Sequence, residues 1–93
     1  MREKTIEQKL TRTIKKYGGL CLKFTSPGTD GVPDRIILLP NGKLAFAELK
    51  APGKQMRPLQ EYRKRQLEGL GFKVYVIDSI EAIGGVLSEI QST

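Results

Sequence analysis

GVPDRIILLPNGKLAFAELK, residues 31–50, is the stretch on which the reading of this chain turns. RIILL and KLAFAEL flank Pro40-Asn41-Gly42, so two apolar runs are separated by turn formers and the segment predicts a β-hairpin. Asp34, Glu48 and Lys50 sit inside it, where apolar side chains would pack better. Strand alternation from 43 to 50 puts Leu44, Phe46, Glu48 and Lys50 on one face and Ala45, Ala47 and Leu49 on the other. Glu48 and Lys50 therefore point the same way, about 7 Å apart at the backbone. Register decides whether Asp34 joins them. A two-residue Asn41-Gly42 turn would set Pro40 opposite Lys43 and turn Asp34 away from Glu48. A three-residue loop with Gly42 in the left-handed region pairs Leu39 with Lys43 and sets Asp34 across from Glu48. Proline has no N–H to give a ladder, which favours the second register. The two carboxylates then lie about 5 Å apart at Cβ.

Like charges that close raise one pKa unless a cation lies between them. Oxygen-only ligands suit Mg²⁺, with Mn²⁺ able to substitute. Such an ion would engage a phosphate oxygen and a water, with the Lys50 ammonium aimed at the same oxygens. The sequence contains no histidine. That removes Cys/His zinc sites, Ser-His-Asp triads and nucleases with an imidazole base, leaving carboxylates, lysine and a hard metal ion for any hydrolysis.

Working outward, Ile6, Leu10, Ile14 and Tyr17 recur at helical spacing before Gly18-Gly19, which predicts an amphipathic helix over about 4–17. LCLKFT, 20–25, reads as a strand, and SPGTDGVP, 26–33, as a loop in which Asp30 is a turn residue. APGKQMR is a second loop, and Pro58 opens a helix that ends near Gly69 to Gly71. FKVYVI, 72–77, is a strand, and Asp78 or Ser79 caps a last helix carrying Ile80, Ile83, Val86, Leu87 and Ile90. Gly84-Gly85 inside that helix implies either a break or the close approach of another backbone. This order gives an α/β protein, αβββαβα, with a mixed sheet flanked by helices. The helix between the third and fourth strands makes those two parallel. At 93 residues the chain is expected to be one domain, 1–93.

Charge points to the partner. Residues 1–65 carry 15 basic and 6 acidic side chains, and residues 66–93 carry 1 and 4, so a net +6 is concentrated in the first two thirds. Such an excess is the footprint of a polyanion binder. Cys21 is the only cysteine and lies in an apolar run, so it reads as a packed thiol in a reducing compartment. There is neither a membrane-length apolar stretch nor a signal-peptide core, and a cytoplasmic location is expected.

Gly31-Val32-Pro33-Asp34, Glu48-Leu49-Lys50 and Gln60 together resemble the PD-(D/E)XK nuclease superfamily, and within it the virus-type replication-repair (VRR-NUC) family. The resemblance runs from about Glu7 to Ile77 and is closest to small phage-type members, which are similar to Holliday junction resolvases. It implies a restriction-endonuclease-like fold and a catalytic set of Asp34, Glu48, Lys50 and Gln60. It further implies metal ligation by Asp34, Glu48, the Leu49 carbonyl and Glu7, the last matching an additional acidic position on the first helix. DNA contacts are expected at Ser26, Gly28, Lys54, Arg57, Arg63 and Lys64. The activity implied is hydrolysis of DNA phosphodiesters, with branched or four-way DNA as substrate and a symmetric homodimer as the working form. The apolar last helix is a candidate interface. Two readings stand beside this one, a DNA-binding module without catalysis and a nuclease of ordinary duplex or single strands.

Overall fold

The computed structural model describes residues 2–93. Helix α1 (Glu3–Lys16) leads into strands β1 (Leu20–Lys23), β2 (Arg35–Leu39) and β3 (Lys43–Leu49). Helix α2 (Pro58–Gly69), strand β4 (Val74–Ile77) and helix α3 (Ala82–Gln91) follow. The strands form one sheet in the order β1-β2-β3-β4. The first three are antiparallel, and β3 and β4 run parallel, as the intervening helix requires.

Register is set at the turn. Leu39 pairs with Lys43, and the ladder continues through Ile37–Ala45 to Arg35–Ala47. Pro40, Asn41 and Gly42 form the three-residue loop, but both Asn41 (φ 70°) and Gly42 (φ 72°) take left-handed backbone, where one such residue was expected. Asparagine tolerates that region, so the loop closes with the proline outside the ladder. One step beyond Arg35–Ala47, Asp34 falls opposite Glu48.

The two sheet faces differ. Ile37, Leu39, Ala45, Ala47, Leu49 and Ile77 form the inner face and pack with α1 and α3. Ile6, Leu10 and Ile14, one helical turn apart, are fully buried there, as are Ile83, Leu87 and Ile90 of α3. Burial of each stabilises the fold by about 1.5–3 kcal/mol. The buried side of α3 is thus used in the protein's own core, while Gly84 and Gly85 stay exposed. On the outer face Phe46 stacks on Phe24 and meets Phe72 edge-on. Farther along this face Leu20 (58% exposed), Leu22 (44%) and Leu44 (40%) are open to solvent.

The glycine pair of α3 behaves in neither expected way. The helix runs unbroken through Gly84 and Gly85, and a Cβ at either would meet nothing within 4 Å. Gly19 is the opposite case, because a Cβ there would press on the Leu38 carbonyl oxygen and come within 2.8 Å of Leu39 Cδ2. In urea unfolding, Gly84→Ala and Gly85→Ala are expected to raise stability by up to about 1 kcal/mol each. Gly19→Ala is expected to lower it by about 1–3 kcal/mol through overpacking.

Candidate active site

Asp34, Glu48 and Lys50 come together at one end of the β2–β3 pair. Pro33 is buried and delivers the chain into β2, so that Asp34 stands at the strand's entrance. Its Oδ2 accepts a hydrogen bond from the Leu49 main-chain N–H at 2.8 Å, which ties the two strands together beyond their ladder. Glu48 lies on the central strand β3, 1% exposed. Neither of its carboxylate oxygens has a hydrogen-bond partner.

A buried carboxylate without a donor carries a desolvation cost of several kcal/mol. Its nearest cation is Lys50, whose Nζ stands 3.9 Å from Glu48 Oε2. Glu48 is accordingly pushed up to about 8, first by burial and next by the neighbouring Asp34 carboxyl, which favours the protonated form through its polar group and its charge. Lys50 opposes the shift, and the charge of Glu3 adds to it.

Gln60 has a role that its sequence position only half reveals. It is 8% exposed at the third position of α2, and its Oε1 accepts from Lys50 Nζ at 2.8 Å and from the Arg57 N–H at 2.9 Å. One oxygen thus closes the N-terminus of α2 and aims the lysine. Gly31 brings the loop before Asp34 against this helix. Its φ of +82° and the 2.8 Å from an added Cβ to the Leu59 carbonyl oxygen leave room for no side chain.

The remaining expected residues are distributed more widely. Glu7 does not join the carboxylate pair; its Oε2 accepts from Arg35 Nε at 2.9 Å on the inner side of the sheet. Glu3, one turn earlier on α1, is the helix carboxylate whose charge reaches Glu48. Arg63 and Lys64 are engaged within the protein. Arg63 Nε donates to the Asp30 carbonyl and its Nη1 to Gln66, while Lys64 pairs with Glu68 at 3.1 Å. That last pair is an i,i+4 contact along α2. Ser26 lies in the loop after β1, where Gly28 is open on all sides. Lys54 and Arg57 are exposed on the loop entering α2, and Arg57 shares a cleft of about 440 Å³ with Asp30, Gly31 and Gln60. Cys21 is half-buried against the core, and burial pushes its thiol up, as befits a packing residue.

Leu49 adjoins both Glu48 and Lys50, and no cluster of three or more His, Cys, Asp or Glu side chains exists among the described residues. A cation here would be held by two carboxylates and a main-chain oxygen, with the remaining positions left to water and substrate, which is the manner of Mg²⁺. Two buried, donor-less oxygens fit such an ion. The metal-free protein has a testable signature. Between pH 4.5 and about 8 the folded chain retains a proton on Glu48 that the unfolded chain releases, so stability falls as pH rises through that window. Thermal melts in chelator are expected to show that fall in the wild type and its loss in Glu48→Gln, which is the more stable of the two at pH 8.

No family model matches the chain. Among curated proteins it is similar to "Putative nuclease p44" of Acyrthosiphon pisum secondary endosymbiont phage 1, with 48% identity over 79 residues, 85% of this chain and 85% of that protein. A solved structure described as "VRR_NUC domain" superimposes with a TM-score of 0.87 over 92% of this chain and 94% of that one, at 24% identity. The second likeness speaks for the fold, and the first, nearly half of the aligned residues over most of both chains, for kinship. The chain belongs to the same family as this phage protein and has the fold of a VRR_NUC domain.

Proposed function

We propose that this protein is a Mg²⁺-dependent DNA endonuclease that hydrolyses phosphodiester bonds, with branched or four-way DNA as its favoured substrate. The observation that carries the reading is the buried Glu48 carboxylate, both oxygens without a donor, beside Asp34 and Lys50. The name of the phage relative and the basic surface point in the same direction.

In this reading Asp34, Glu48 and the Leu49 carbonyl hold the ion, which when bound supplies charge neutralisation at the phosphate and a more acidic water. Asp34 is fixed by the Leu49 N–H and Glu48 by the packing around it, so both face the phosphate without reorganisation. Lys50, steered by Gln60, places its ammonium where negative charge grows on the phosphate oxygens. Gln60 is therefore a positioning residue.

Symmetric cutting of a four-way junction calls for two such sites related by a two-fold axis. The open leucines of the outer sheet face, Leu20, Leu22 and Leu44, are the surface that supports pairing with a second copy.

The test is a panel of end-labelled four-way junction, duplex and single-stranded DNA, each with Mg²⁺, Mn²⁺ or chelator. Cleavage of the junction only with metal, leaving 5′-phosphate and 3′-hydroxyl ends, is expected. Binding with no cuts in either metal would leave a DNA-binding module, and preferential cutting of duplex or single strands would leave a nuclease of ordinary DNA. Asp34→Asn, Glu48→Gln and Lys50→Ala are each expected to reduce cleavage by 100-fold or more with junction affinity within a few fold of wild type. Sedimentation is expected to give a dimer mass for the wild type. A Leu22→Glu/Leu44→Glu variant is expected to sediment as a monomer that nicks junctions singly rather than cutting both strands together.

A further inference from the structure

A cleft of about 490 Å³ lies apart from the carboxylate site. It lies between α1 and the β1–β2 edge of the sheet and is lined by Lys4, Arg12, Lys23 and Arg35, with Glu7 as its one carboxylate. That carboxylate is already held by Arg35, whose Nη1 also donates to the Cys21 carbonyl oxygen at 3.0 Å. The ion pair forms a neutral floor. Lys4, Arg12 and Lys23 on the walls are exposed and have no ion-pair partner among the described residues. Three free cations around a cavity of ligand-holding size call for negative charge from outside the protein.

The form of the row says what kind of anion. Lys4, Gln8 and Arg12 follow one another at four-residue intervals along one side of α1, so the row extends about 12 Å along the helix axis. A lone anion would use one end of it. A nucleic-acid strand, with one phosphate per about 3.4 Å of helix axis, presents several charges over that length. The cleft also sits at a defined place relative to the carboxylates. Arg35 follows Asp34 directly, and strand alternation sends their side chains to opposite faces of the sheet at the same end of β2. From this we infer that the α1–β1 cleft is a second DNA-backbone site, in which Lys4, Arg12 and Lys23 hold phosphates displaced from the scissile one. The inference rests on the nuclease reading above and adds to it a contact with a segment of substrate on the far face of the sheet.

The experiment measures junction binding in chelator, where no cutting occurs, as a function of salt, and single-turnover cleavage at saturating protein with Mg²⁺. Arg12→Gln/Lys23→Gln is compared with Lys15→Gln/Lys16→Gln, which removes the same charge from the exposed far end of α1. The cleft variant is expected to lose about 2 from the magnitude of the slope of log K against log salt, since each lost phosphate contact removes about 0.9. It is expected to bind at least tenfold more weakly and to keep the wild-type cleavage rate at saturation. The far-end variant is expected to keep a slope within about 0.5 of wild type. A cleft variant with the wild-type slope, or equal losses in both variants, overturns the site while leaving the nuclease intact. Wild-type protein that neither binds nor cuts DNA overturns the site and the nuclease reading together.

Discussion

A carboxylate shut away from water with no donor to either oxygen is the constraint around which the rest of this structure is arranged. Glu48 sits on the central strand β3, flanked by β2 and β4, so solvent cannot reach it through a relaxed edge. The fold does not supply the missing partner from its own side chains. Lys50 stands at 3.9 Å and its short hydrogen bond goes to Gln60 instead. Two remedies remain, a proton on Glu48 or an external cation, and they compete for the same oxygens. In the absence of a cation the raised proton affinity of Glu48 follows directly.

That arrangement depends on register more than on any single contact. One residue fewer in the Pro40–Gly42 loop would shift every β2 side chain to the other face, leaving Asp34 behind the sheet and Ile37 and Leu39 outside the core. The same ladder therefore secures the apolar core and the acidic pair. A slip that lost the site would also lose the packing of Ile6, Leu10 and Ile14 against the inner face. The acidic pair thus carries an electrostatic cost, yet the core it shares a register with holds it in place.

What could be read from the sequence follows the same division. Asp34 and Glu48 were legible because period-two alternation and a proline excluded from the ladder are local rules that fix which side chains face each other. Lys50 came with them as the next residue on the same face. Glu7 came only with the resemblance, and its pairing with Arg35 was not legible, since what an α1 side chain meets depends on how the helix sits against the sheet. The basic residues of α2 were partly opaque. Arg63 and Lys64 differ from Lys54 and Arg57 in having Asp30, Gln66 and Glu68 within reach; helical spacing supplies Gln66 and Glu68, but no periodicity encodes the Asp30 contact. The sound passage of α3 through Gly84-Gly85 is a tertiary override of propensity, with Ile83, Leu87 and Ile90 anchoring both sides of the pair in the core.

Gln60 shows how little chain is needed to make a site rigid. Lysine at the end of a strand has four rotatable bonds, and its ammonium would sample much of the space before β3. A glutamine oxygen that already closes the first turn of α2 restricts it, because the carbonyl cannot turn toward another donor without opening the helix end. The Gly31–Leu59 approach fixes where that helix begins relative to Asp34. Strand, loop and helix are therefore coupled through one side-chain amide and one missing Cβ, and a chain of this size gains preorganisation at Lys50 without a further layer of structure behind it.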